Sequence, residues 1–176
     1  MDRRLAMTQL TAVSPPTSTV FRPEARHVTE ALVFLLDGQE YGITLGCVQE
    51  IRSYQPPTRL AGATDYVLGV MDLRGEIVPL IDMRLRLGLA RTDITGFTVV
   101  IVVSLGTRRI GIVADQVNDV VALQPDEIRR MPGMGGHPDQ RHFVAIASLA
   151  GRSVVLLDIE ALLDDSPMDN DLALAN

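Results

Sequence analysis

Hydrophobic positions in this chain fall into short runs broken by turn residues rather than into long helical stripes. Leu32-Val33-Phe34-Leu35-Leu36 is apolar and partly branched, Asp37-Gly38-Gln39-Glu40 interrupts it, and Tyr41-Gly42-Ile43 resumes it. Short apolar runs on either side of an Asp-Gly turn predict a β-hairpin. The same shape recurs at residues 66–73 and 77–81 around Arg74-Gly75, and at 99–103 and 110–113 around Leu105-Gly106-Thr107-Arg108. It appears again at 143–149 and 153–157 around Ala150-Gly151. Helical spacing is confined to 82–87 and 158–163, which open on Asp82 and Asp158, both good N-caps. Residues 48–53 read as a short helix or turn, and 124–128 as one helical turn with Pro125 near its start.

The two halves of the chain repeat one another. Residues 73–82 match 149–158 at an offset of 76, with Leu, Gly, Val, Leu and Asp coinciding. Earlier in each half, Gly42-Ile43 matches Gly111-Ile112, Val48 matches Val117, and Glu50-Ile51 matches Asp119-Val120, at an offset of 69. Two related units follow, at about 31–88 and 99–164. A unit that small exposes much of its apolar surface alone, so the two are expected to pack together around a shared core. Strand closure would hide their edges, which predicts a pair of small β-barrels. Pro79 inside a strand predicts an edge or a bulge there, because proline cannot donate to a ladder.

Composition narrows the function. The 176 residues fit one domain or two small ones, and 47% apolar with 22% charged residues is enough for a real core. All 16 basic residues are Arg, so Schiff-base and phosphate-loop lysine chemistry is excluded. Cys47 is the only cysteine, which rules out an intramolecular disulfide and a cysteine zinc cluster. A net charge of −6 and an aromatic content of 4% without Trp argue against nucleic acid as a partner. Apolar stretches are too short to cross a bilayer, and no apolar segment follows Arg3 and Arg4, so a cytoplasmic location is expected. Residues 1–28 read as a mobile basic tail and 165–176 as an acidic one.

No catalytic constellation assembles. Asp82 and Asp158 at matching places suggest either a symmetric acid/base pair or two helix caps, and capping is the better reading. His137 lies in a Gly-rich stretch without phosphate-loop spacing, a connector. His142 reads as a strand-start residue and Cys47 as a small buried one. No cofactor is expected, and a binding function is favoured. Glu50 and Arg74 stand out as a possible ion pair, exposed and weak or partly buried and costly to break. Their counterparts are Asp119 and Ala150, so only the first unit keeps both charges.

At these residues the chain resembles the CheW family of bacterial chemotaxis adaptors. The matching stretches are Tyr41-Gly42-Ile43, Val48-Gln49-Glu50-Ile51-Arg52, Leu68-Gly69-Val70 and the run from Leu73-Arg74-Gly75 through Pro79 to Arg84. In the second half they are Val100-Ile101-Val102, residues 110–120 and Leu156-Leu157-Asp158-Ile159-Glu160. The resemblance covers roughly residues 30–164, so 29–164 is taken as the CheW-like domain. It implies an all-β-dominated fold of two five-stranded SH3-like barrels around a shared core, with a few short helices. It also implies a non-enzymatic scaffold coupling methyl-accepting receptors to the histidine kinase CheA. By position, Val48, Glu50, Arg74, Val99 and Val120 look like the receptor-binding surface, in a groove between the barrels. The kinase's regulatory domain would bind an end of one barrel. Gly42, Gly75, Asp82, Gly111 and Asp158 are read as structural. Two positions depart from the family pattern: Asp72 stands where Asn is common, and Ala145 where Gly is common. Other readings are a CheW-like adaptor of a non-flagellar pathway, and a small β-barrel that binds RNA or a ligand.

Overall fold

A computed structural model describes residues 29–131 and 142–164. The expectations for the two tails and for the connector around His137 lie outside the described residues. The first repeat supplies β1 (Thr29–Leu36), β2 (Gln39–Thr44), β3 (Val48–Ser53), β4 (Val67–Leu73), β5 (Glu76–Asp82) and helix α1 (Met83–Arg86). The second supplies β6 (Val99–Leu105), β7 (Arg108–Ala114), β8 (Gln116–Leu123), β9 (Ile128–Arg130), β10 (Phe143–Leu149), β11 (Arg152–Leu157) and α2 (Ile159–Asp164). All four predicted hairpins form. Their tightest turns carry consecutive positive φ values at Asp37-Gly38, Arg74-Gly75 and Ala150-Gly151, the geometry that matches the twist of the flanking strands. Asp72 Oδ1 accepts the Gly75 N–H at 2.7 Å, so its charge is spent inside the turn.

The strands form two sheets, in the orders β3-β6-β7-β5-β4 and β8-β1-β2-β11-β10-β9. Neither sheet is one repeat. The β6–β7 hairpin of the second repeat inserts between β3 and β5 of the first, and the β1–β2 hairpin of the first inserts between β8 and β11 of the second. The two SH3-like barrels are therefore built by reciprocal exchange. The sixth strand, β9, has as its first-repeat counterpart a single bridge between Thr58 and Val70.

Each inserted hairpin meets the other repeat through a parallel ladder, Leu80 to Asp82 against Gly111 to Val113 and Val154 to Leu156 against Glu40 to Gly42. Gly111 lies opposite Leu80, and Gly42 opposite Leu156. A Cβ on Gly111 would stand 2.3 Å from Leu80 Cδ2 and 2.9 Å from Val100 Cγ1. One on Gly42 would stand 3.0 Å from Leu156 Cδ2. Both glycines are structural because a buried side chain of the facing repeat fills the space a Cβ needs.

Charge agrees with the exchange. Glu40 on β2 pairs with Arg152 on β11 at 2.8 Å, and the equivalent positions carry Arg109 and Glu76, paired at 2.6 Å with the signs reversed. Were each hairpin to fold onto its own repeat, Glu40 would face Glu76 and Arg109 would face Arg152. These partly exposed pairs contribute only about 0–1 kcal/mol each, but their pattern favours one pairing over the other.

Three layers of side chains follow. Leu73, Val78, Leu80, Val100, Val102 and Val113 fill the first barrel. Ala31, Val33, Leu123, Ala145, Ala147, Val154 and Leu156 fill the second. Between them lies the expected shared core, with Leu32, Phe34 and Leu36 from β1, Ile101 and Val103 from β6, Ile110 and Ile112 from β7, and Leu162 and Leu163 from α2. Alternate residues of β1 and β6 thus enter different cores, which is why their sequences are continuous apolar runs. Polar clamps join the parts. Arg84 of α1 forks onto Asp115 at 2.8 and 2.5 Å and reaches Asp37 at 3.4 Å. Arg86 donates to the Leu162 carbonyl at 2.6 Å and lies over the Tyr66 ring.

Several expectations need correction. Residues 48–53 form a strand, not a helix or turn, because β6 supplies a ladder from Val48 to Ser53. Residues 125–127 do form a 3-10 turn, with a capping box at Gln124. Pro79 lies on an interior strand and carries no bulge. Its partner Val70 gives both backbone groups to Thr58, so Pro79 occupies a non-hydrogen-bonded position toward β4. Its nitrogen faces the other side, where the ladder to β7 begins only at Leu80, and the missing donor costs nothing. Ala145 is accommodated without positive φ, whereas its counterpart Gly69 needs φ +140°, and a Cβ there would lie 2.1 Å from the Thr58 carbonyl oxygen.

Gly111→Val should lower stability in urea unfolding by about 1–3 kcal/mol through overpacking, and by more than Gly42→Val. Glu76→Arg should cost about 0.5–1 kcal/mol, and adding Arg109→Glu should recover most of it in a double-mutant cycle.

Candidate functional site

The exposed edges of the shared core define the site. In antiparallel pairs, residues directly opposite one another share a face. On β3, Val48 faces Val103 and Ile51 faces Ile101, both shared-core residues. On β8, Val117 faces Phe34 and Val120 faces Leu32, again shared-core residues. Val48, Val99 and Val117 pack against that core and are partly buried. Ile51 and Val120, equivalent by the repeat, remain 44% and 51% exposed. β3 and β8 are edge strands of their sheets, so the apolar face of the shared core runs out to solvent along both.

Matching bulges create this arrangement. The ladder shifts between Val48 and Glu50 on β3, and opposite Val33 and Phe34 on β8, leaving Gln49 and Asn118 as the extra residues. After each bulge the acid faces the barrel interior and the next apolar residue faces the shared core. Glu50 lies opposite Val102 and Asp119 opposite Val33.

Arg74 Nη2 meets Glu50 Oε2 at 3.2 Å. The pair joins β3, at one edge of the five-stranded sheet, to the β4–β5 hairpin at the other, and so closes the first barrel. Arg74 is 80% exposed and Glu50 25% exposed, which selects the weak alternative of about 0–1 kcal/mol. The second barrel is closed in the same way. Asp119 on β8 meets Arg152 at 3.1 Å, two residues beyond the turn position of Ala150. Only the first unit keeps both charges at the matched positions, as the sequence shows, and the second closes with an arginine from a different position. The basic partner has moved from the turn into the following strand, where it also holds Glu40. These hydrogen bonds hold the Arg152 guanidinium above its ordinary pKa.

The five predicted residues thus fall into two sets. Val48, Val99 and Val120 belong to the shared-core face, while Glu50 and Arg74 form the barrel-closing pair beside it. Ile51 was missed, although its match to Val120 at the repeat offset marks it.

The remaining candidates are structural. Asp82, 1% exposed, caps α1 through the N–H groups of Arg84 and Leu85 and also accepts from the Thr92 amide and hydroxyl. Asp158 accepts the Ala161 N–H of α2 at 2.9 Å. His142 is buried beside Phe143 at the start of β10. The Cys47 thiol donates to the Thr44 carbonyl, and burial pushes its pKa up to about 11, away from thiolate chemistry. No group of three or more potential metal ligands occurs among the described residues.

Comparison with known proteins places this geometry. The CheW-like domain family matches residues 30–166. The chain belongs to the CheW-like family. It is 40% identical over 139 residues to a chemotaxis protein CheW of Klebsiella aerogenes, covering 79% of this chain and 84% of that one. It is 33% identical over 133 residues to a CheW of Bacillus subtilis, covering 76% and 85%. The fold matches the crystal structure of the scaffolding protein TtCheW from Thermoanaerobacter tengcongensis with a TM-score of 0.72. That match has 22% identity and covers 78% of this chain and 94% of that one. An adaptor role in chemotaxis follows from the family.

Proposed function

We propose that the chain is a non-enzymatic adaptor that couples the cytoplasmic tips of methyl-accepting receptors to the histidine kinase CheA, whose regulatory domain it binds at an end of one barrel. The observation that carries this reading is the apolar shared-core face exposed on both edge strands, with Ile51 and Val120 at equivalent places. A receptor tip is an amphipathic helical hairpin, and such a helix lays its apolar face into a groove of this kind. Val48, Val99 and Val120 supply area to it, and Ile51 extends the same surface. Glu50 fixes Arg74 beside this face, where the exposed guanidinium is free to set the register of the helix.

The working unit is the domain at 29–164, acting in the cytoplasm beside membrane-anchored receptors. No helix among the described residues is long and apolar enough to cross a membrane. Individual contacts of this size are moderate, and assembly into an array multiplies them through effective concentration.

Arg74→Glu and Val120→Asp should each weaken binding to a soluble receptor signalling fragment by about tenfold, equivalent to about 1.4 kcal/mol. The thermal midpoint should stay nearly constant, because both side chains are exposed. Unchanged affinity in both variants, measured by titration calorimetry, would refute the groove assignment.

A further inference from the structure

A cavity of about 370 Å³ opens at the first barrel, and none of the exposed edge residues just described lines it. The segment between β3 and β4 forms one wall and the connector between the repeats forms the other. Pro57, Leu60, Val67, Leu68 and Ile94 give it apolar surface, and Tyr54, Thr64, Arg59 and Arg91 supply polar groups. The volume lies within the range of small-molecule sites.

The polar groups are unevenly committed. Asp82 at the lining is saturated by four donors, from the Arg84 and Leu85 amides and both donors of Thr92. It offers no remaining role to a ligand, and it holds the connector in place through Thr92. Neither Arg59 nor Arg91 forms an ion pair among the described residues. Arg91 makes one long bond of 3.3 Å to the Asp65 carbonyl, and Arg59 makes none. The Thr64 hydroxyl oxygen is shielded from solvent and has no hydrogen-bond partner. Asp65 is the one other acid in the lining, and it is exposed, as are Arg59, Arg91 and Ile94. Two guanidiniums without acidic partners, beside an apolar wall, suit an anionic head attached to an apolar body.

We propose that this cavity binds a small organic carboxylate, its anionic end held by Arg59 and Arg91 and its apolar body against Leu60, Leu68 and Ile94. Because Thr92 and Ile94 belong to the segment that joins the repeats, an occupied cavity would tie that connector to the first barrel.

Titration of the ¹⁵N-labelled full chain with benzoate tests the site. Saturable shifts are expected at the amides of Tyr54, Thr64 and Thr92. The neutral analogue benzamide should bind at least about tenfold more weakly, the loss expected for a charge-assisted pair. Arg59→Gln and Arg91→Gln should each weaken benzoate binding by about fivefold or more without moving the thermal midpoint. Inorganic phosphate, which has no apolar body, should bind more weakly than benzoate. The absence of saturable shifts, equal binding of benzamide or phosphate, or indifference to both arginine substitutions would overturn the proposal.

Discussion

The fold depends on one close approach made twice, the packing of a leucine from one repeat over a glycine from the other. Leu80 covers Gly111 and Leu156 covers Gly42, each in a short parallel ladder that joins a hairpin to the opposite repeat. Larger residues at the glycines would push the strands apart. With glycine there, β2 and β7 take interior places in the sheets, and their neighbours β1 and β6 can be buried on both faces. The shared core is then a consequence of the exchange. Neither repeat can complete its barrel alone, because each lacks the two strands that the other lends it.

The same arrangement positions the proposed binding surface. Inserting the hairpins leaves β3 and β8 at the sheet edges, and those strands carry the apolar face of the shared core to solvent. Equivalent bulges at Gln49 and Asn118 let one strand serve two purposes. The acid turns toward the barrel interior to accept a closing arginine, and the neighbouring apolar residue stays on the shared-core side. The proposed surface is therefore made of edge strands already paired in the two sheets, which lowers the cost of ordering on binding.

Much of this was legible in the residues, where the signal is local. Asp37-Gly38, Arg74-Gly75 and Ala150-Gly151 mark tight turns because few residue pairs tolerate positive φ twice, and Asp82 and Asp158 mark helix starts. The contact of Glu50 with Arg74 was legible only as one alternative, from a charge set between apolar residues and another at a hairpin tip. The exchange was not, because periodicity says which residues face a core but not which strand lies opposite. The reversed charges of Glu40 with Arg152 and Arg109 with Glu76 encode it, but only once the repeat offsets of 69 and 76 are compared across the two halves. β3 was misread because Val48 and Ile51 sit three apart, a helical spacing that the bulge at Gln49 produces within a strand. Pro79 misled for a related reason, since its freedom to sit in an interior strand comes from a ladder that starts one residue later.

Interstrand nuclear Overhauser contacts distinguish reciprocal exchange of the hairpins from folding of each hairpin onto its own repeat. Backbone contacts should link Gly42 with Leu156 and Gly111 with Leu80. Contacts of Gly42 with Leu80 and of Gly111 with Leu156 would mean that each hairpin folds onto its own repeat, and would contradict the account.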